Sequence, residues 1–288
     1  MTAITIRHRT TYTYEEAVSL GPHRLMLRPR ESRDLRLLSH EVTVTPKAEL
    51  SWSSDVFGNA VAIASIASPT DRLVIDSVAR IELDIEPWPV FPIAASAIRY
   101  PFLYSEDEWT DLGAMTVLQY EDPADRLRIW ARGFVRGEET DTLALLKDLN
   151  TGVGAWIGYR EREEEGTQSP SETLDRGTGT CRDFAVLFAE AARSLGFGAR
   201  IVSGYLSNPD DPDTIGSAEA GSTHAWVEVY VPGAGWISFD PTNRGMGGYN
   251  LVPVCVARNI RQTIPVSGSF AGGPAAFREM EVEVVVSR

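Results

Sequence analysis

The chain has little cysteine, little histidine and no long apolar run, and each shortage removes a class of function. Two cysteines and four histidines in 288 residues make no disulfide framework. His8, His23, His40 and His224 form no pair at metal-ligand spacing, and no cysteine pair stands in for one. No stretch reaches the roughly 18 apolar residues of a membrane span. The opening Met1-Thr2-Ala3-Ile4-Thr5-Ile6 alternates like a strand and lacks the apolar core of a signal peptide. A reduced, cytoplasmic protein with free thiols is therefore expected. Positive charge is scarce as well. Against 40 acidic residues stand 27 basic ones, a net charge of -13, which repels phosphates and predicts neither nucleic acid nor membrane as a partner. Repeats, low-complexity tracts and phosphate-cradling glycine loops are missing too. Asp210-Asp211-Pro212-Asp213 reads as a solvated loop rather than a calcium site, and no cofactor is expected.

What is present is ordinary globular material, 43% hydrophobic and 23% charged, enough for about two domains at roughly 150 residues each. The first 85 or so residues alternate in short runs around Ile4-Ile6, Tyr12, Tyr14, Val42-Val44, Trp52, Val61-Ile66, Leu73-Ile75 and Ile81-Ile85. Asp55-Val56-Phe57-Gly58-Asn59 supplies turn chemistry between two of them. This predicts a small antiparallel β domain. Pro87, Pro89, Pro92 and Pro101 then exclude helix and central strand, so residues 86 to 101 read as a linker with a boundary near 100. Helical spacing follows at Leu127, Trp130, Phe134 and Leu143, Leu146, Leu149. The run from Glu161 to Glu165 reads as a solvated surface.

The chemistry gathers in the second part. Ser169-Pro170-Ser171-Glu172 predicts a short helix start, with Ser169 as cap, Pro170 at the first position and Glu172 closing a capping box. That helix ends by Gly177-Thr178-Gly179. A second helix begins at once, with Thr180 as cap and Asp183 three residues on. Phe184, Leu187, Phe188, Ala191, Ala192 and Leu195 then fall at i, i+3, i+4, i+7, i+8 and i+11, and Gly196 stops it. Cys181 lands at the first helical position, where the partial positive charge and unpaired N–H groups favour thiolate over thiol. The same N–H groups suit an oxyanion. Cys255, inside the apolar run Leu251 to Val256, reads as a buried structural residue.

Thr223 to Val231 alternates strictly, with Ala225, Val227, Val229 and Val231 on a core face and His224, Trp226, Glu228 and Tyr230 on the other. His224 is therefore expected to point into a cleft. After the turn Pro232-Gly233-Ala234-Gly235, residues Trp236 to Asp240 form a return strand. Pairing Tyr230 with Trp236 sets Asp240 opposite Trp226, diagonal to His224 and on its face. Nucleophile, base and orienter then occur in the order Cys181, His224, Asp240.

Three motifs resemble the bacterial transglutaminase-like family. They are Gly179-Thr180-Cys181-Arg182-Asp183-Phe184-Ala185 with its continuation through Gly204-Tyr205; His224-Ala225-Trp226-Val227-Glu228-Val229-Tyr230; and Gly235-Trp236-Ile237-Ser238-Phe239-Asp240-Pro241-Thr242-Asn243. Residues 11 to 59, with Pro22-His23-Arg24-Leu25, resemble the β region that precedes the core in this family, and Val266 to Val286 resembles its tail. Thr180 departs from the family, where a small or branched apolar residue is commoner. The resemblance implies an α+β, papain-like transglutaminase core over 101–288, preceded by the β domain at 1–100. It further implies a thiol acyl-transfer mechanism through Cys181, His224 and Asp240.

A second oxyanion donor or substrate contact is sought among Trp156, Tyr159, Gln168 and Trp226, and the resemblance around 156 to 159 favours Tyr159. The expected activity is hydrolysis of a protein, peptide or small amide substrate. The alternatives are transamidation of protein glutamine and a binding module that keeps the fold without catalysis. Oligomeric state is not readable.

Overall fold

The computed structural model describes residues 2–86, 88–122, 124–137, 140–162, 166–207, 223–273 and 275–287. The charged run at 163–165 and the acidic loop Asp210-Asp211-Pro212-Asp213 lie outside them.

The N-terminal alternation does produce antiparallel strands, but two are far longer than expected. Thr2–Leu20 has 19 residues and Thr70–Leu83 has 14. Thr70–Leu83 sits between Thr2–Leu20 and Leu35–Thr45 in one sheet. A second sheet sets Ala60–Ile66 between Ala48–Ser54 and His23–Leu25. Leu25, Leu27, Val44, Ala64, Leu73 and Ile75 are buried together in one cluster drawn from both sheets, as a sandwich requires.

The end of the chain completes both sheets. Phe277–Ser287 pairs with Thr2–Leu20 from Thr5↔Ser287 to Tyr14↔Phe277, and Val266–Ser267 pairs with His23–Leu25. The expected division at residue 100, which assigns these strands to the core, does not describe the pairing. The physical reason is the edge of Thr2–Leu20. A long strand with one free edge and a half-apolar face is a liability, and the alternating strand Phe277–Ser287 covers it, burying Val284 while Glu281 and Glu283 stay outside.

The core of the second part is a helix on a third antiparallel sheet. Strand order is Gly245–Met246, Gly235–Asp240, His224–Val231, Gly198–Leu206, Leu251–Ala257. Helix Cys181–Ser194 packs its apolar face on this sheet, with Phe184, Phe188, Val227, Val229 and Phe239 in one buried cluster. Helices Arg126–Arg132 and Thr142–Trp156, where helical spacing was expected, contribute Leu127, Leu146 and Leu149 to it.

The opposite face of the core sheet is covered by the β sandwich, where Tyr205, Val252 and Val254 meet Ile4, Ile6, Leu35 and Ile81. The proline-rich stretch makes one 3-10 turn at Ala95–Ala97, which the prolines did not predict, and it is docked rather than free. Ala94 N–H donates to the Pro232 carbonyl at 2.8 Å, and Phe91 and Ile93 pack on the core. Gly233 has φ of +82°, and any Cβ there would lie 2.6 Å from Pro92 O and Ala94 N. Only glycine fits that turn.

Candidate active site

Two short extended pieces, Gly158–Tyr159 and Thr178–Gly179, run parallel and hydrogen-bonded just before the cysteine helix. Gly177, with φ of +62°, ends the helix Pro170–Arg176, whose N-cap Ser169 accepts from Glu172 N–H at 3.2 Å. The Glu172 carboxylate turns to Arg176 at 2.6 Å instead of closing the expected box.

At the next helix start the anchor is Asp183. It accepts from Thr180 N–H at 2.8 Å, Thr180 Oγ1 at 3.0 Å and Gln168 N–H at 2.7 Å, and it pairs with Arg162 at 3.3 Å. Those donors satisfy both oxygens of a fully buried carboxylate. Cys181 then occupies the first helical position, 8% exposed.

The hairpin has the expected register, with Tyr230 opposite Trp236 and Val227 opposite Phe239. His224 Nε2 lies 2.9 Å from Asp240 Oδ2. Asp240 is itself held. Its Oδ1 accepts from the Thr242 N–H at 3.0 Å and the Asn243 N–H at 3.3 Å, and its Oδ2 accepts from Asn243 Nδ2 at 2.9 Å. The expectation of an open cleft at His224 is corrected. The ring is 1% exposed, stacked on Trp226 with centroids 6.1 Å apart and planes at 23°. Trp226 in turn packs among Val202, Leu206, Leu251 and Val256. On this face of the hairpin His224 and Trp226 are buried, while Glu228 and Tyr230 further along it are only partly covered.

The thiol and the imidazole act on each other. Burial alone would push the Cys181 thiol up, but His224, the Ala225 N–H and Arg182 together outweigh it and bring the pKa below its ordinary value. Burial likewise works against the His224 cation, yet the Asp240 carboxylate and Cys181 raise its pKa to about 10. Asp240 is held below the usual carboxylate range in spite of burial, chiefly by His224. His224 Nδ1 is buried without a conventional hydrogen bond. The ring interacts with the Cys181 thiol as well as with Asp240. Cys255 is the contrast, since burial drives its thiol up to about 12.

The structure separates the four subsidiary candidates. Tyr159 is half-buried on the strand beside the helix tip, and burial together with the nearby Cys181 raises its phenol to about 12. Trp156 is 66% exposed at the end of its helix. Gln168 is buried, and with its amide oriented to suit its neighbours it donates to Thr173 and Thr178 and accepts from Arg162, so its side chain is occupied. Trp226 supports the imidazole ring. Sequence reasoning assigned no role to Arg162 or Asn243, whose importance depends on partners 21 and 3 residues away. Asn243, directly after the Asp-Pro-Thr run, was the findable one, as an amide in the turn that receives the carboxylate.

Comparison with known proteins agrees with this architecture. Residues 4–82 match the bacterial transglutaminase-like N-terminal region and residues 128–241 match the transglutaminase-like superfamily. An uncharacterised protein of Mycobacterium tuberculosis is 26% identical over 299 residues, covering 97% of this chain and 91% of the relative. A protein-glutamine gamma-glutamyltransferase of Pseudomonas aeruginosa is 31% identical over 92 residues, which is 32% of this chain and 13% of that protein. A crystal structure from Cytophaga hutchinsonii, provisionally described as a cysteine protease, superposes with a TM-score of 0.71 at 19% identity. It covers 99% of this chain and 91% of its own, a likeness of fold. With both family models matched in order along a chain of this fold, the protein belongs to the transglutaminase-like superfamily and carries its bacterial N-terminal β region.

Proposed function

We propose that this protein is a thiol-dependent acyl-transfer enzyme that hydrolyses peptide or amide bonds, with Cys181 as nucleophile, His224 as base and Asp240 as its orienter. The observation that carries the reading is the buried run of carboxylate, imidazole and thiol at a helix N-terminus, with the thiol pKa lowered and the imidazole pKa raised. His224 takes the thiol proton, and Asp240 stabilises the resulting imidazolium and fixes the ring. The thiolate attacks the amide carbonyl, forming a C–S bond and an oxyanion. The Cys181 N–H, without a helical acceptor at that position, and the Tyr159 hydroxyl stabilise this charge. The C–N bond breaks as the imidazolium protonates the leaving amine. Water, deprotonated by His224, then cleaves the thioester and releases the acid.

Transamidation is the second reading, favoured by the name of the Pseudomonas relative. The same acyl-enzyme would pass to an amine instead of water. Iodoacetamide labelling read by mass spectrometry tests the common step. Cys181 is expected to react at neutral pH about 100-fold faster than Cys255, and His224→Ala to slow it at least tenfold. Equal, slow reaction of both thiols would make the chain a binding module. Incorporation of a fluorescent primary amine into a glutamine peptide, against release of ammonia alone, separates transfer from hydrolysis.

A further inference from the structure

A cavity of about 670 Å³ opens beside the helix tip, and the reaction steps above leave it unused. Arg182 and Thr223, chain neighbours of Cys181 and His224, form part of its wall. The rest comes largely from the two ends of the chain, with Tyr12 and Tyr14 on the first strand and Phe270 and Met280 on the last ones. The β region therefore contributes surface beside the residues that adjoin Cys181 and His224 in the chain.

The charge of this cavity runs against that of the molecule. Acidic residues outnumber basic ones by 40 to 27, yet among the described residues no aspartate or glutamate lines it, while Arg162 and Arg182 do. Glu281 alternates with the lining residues Met280 and Val282 and points away. Arg162 is committed to Asp183. Arg182 is exposed and forms no ion pair among the described residues, so its charge is available to a ligand. His8, also in the lining, is held neutral at pH 7 by burial, its pKa being about 4.

The geometry points to an acidic peptide as substrate, bound with an aspartate or glutamate side chain next to the scissile amide facing Arg182 and its apolar neighbours against the aromatic wall. This rests on Cys181 being the nucleophile. An exposed guanidinium attracts a carboxylate at low salt and loses that discrimination as ions screen it.

Labelling with two peptide chloroacetamides that differ only in aspartate against asparagine beside the reactive group is the test, with the adduct on Cys181 followed by mass spectrometry. No turnover is required. At low salt the aspartate probe is expected to label roughly five- to tenfold faster, and 0.5 M NaCl to shrink the ratio. Arg182→Met is expected to bring the ratio close to one. Any effect of Arg182 on the thiol itself changes both rates together and leaves the ratio untouched. Met280→Glu, which puts a carboxylate in the cavity without touching the thiol, is expected to lower or invert the ratio. Rapid labelling by both probes at equal rates would overturn the acidic-peptide reading and spare the nucleophile. Labelling of Cys181 no faster than Cys255 would overturn both.

Discussion

At the scale of the residue, the decisive quantity is the balance of burial against partners. Cys181 and Cys255 are both buried thiols, but only at Cys181 do the partners outweigh burial, and their pKa values move in opposite directions. His224 follows the same logic. Its folded pKa of about 10 lies above the ordinary 6.5, so its interactions contribute stability that is complete below pH 6.5 and lost as pH rises through about 10. Thermal unfolding of the wild type and His224→Ala across pH 6 to 10.5 checks this. The gap in Tm is expected to be widest at the acid end and to narrow towards pH 10, leaving only the loss of packing. A gap that widens with pH would contradict the assignment of Asp240 as the partner. The types and order of these residues were legible in sequence, because a capped helix start and a strict strand alternation are local signals. The burial of His224 was not, because it depends on Trp226 and a sheet contributed from elsewhere in the chain.

At the scale of the element, helix Cys181–Ser194 is more buried than its amphipathic spacing suggests. Its apolar stripe faces the sheet as expected, yet Asp183, Glu190 and Arg193 on its other sides are buried too. Arg193 pairs with Glu190 at 2.5 Å and donates to the carbonyls of Met115, Ala199 and Arg258. Glu190 also accepts from the Gln119 and Tyr120 N–H groups. Helix, strand and preceding loop are thus tied by one pair. Removing one partner of a buried pair leaves an uncompensated charge, so Arg193→Met is expected to cost about 3–5 kcal/mol. Urea unfolding measures it, and Arg193→Met with Glu190→Leu is expected to cost less than the sum of the single changes. Additive losses would mean that the pair is not coupled. A periodic pattern identifies the face a helix buries first. It does not reveal that other elements cover the rest.

At the scale of the whole molecule, the β sandwich and the core are joined through specific polar contacts as well as apolar area. Asn59, in the Asp55–Asn59 turn, bonds the backbone of Val256 in both directions at 2.7 and 2.9 Å, and His8 meets the Tyr205 hydroxyl at 2.9 Å. The last strand closes the first sheet. Deleting residues 277–288 is expected to lower Tm and promote association, because the edge of Thr2–Leu20 is left unpaired and apolar surface around Ile4 and Ile6 loses its Val284 cover. Differential scanning calorimetry and light scattering read the two effects, and a truncated chain that melts like the full one and stays monodisperse would contradict this role. Sequence by itself determined the element types, the helix-start cysteine and the hairpin register, since each follows from side-chain spacing within one segment, and its motifs carried the family resemblance. Tertiary structure alone decided that the two chain ends share a sheet, that His224 and Trp226 are buried, and that an arginine-bearing cavity opens beside Arg182. Those depend on which surfaces meet, and contacts between residues 200 or more apart leave no periodic trace in either segment.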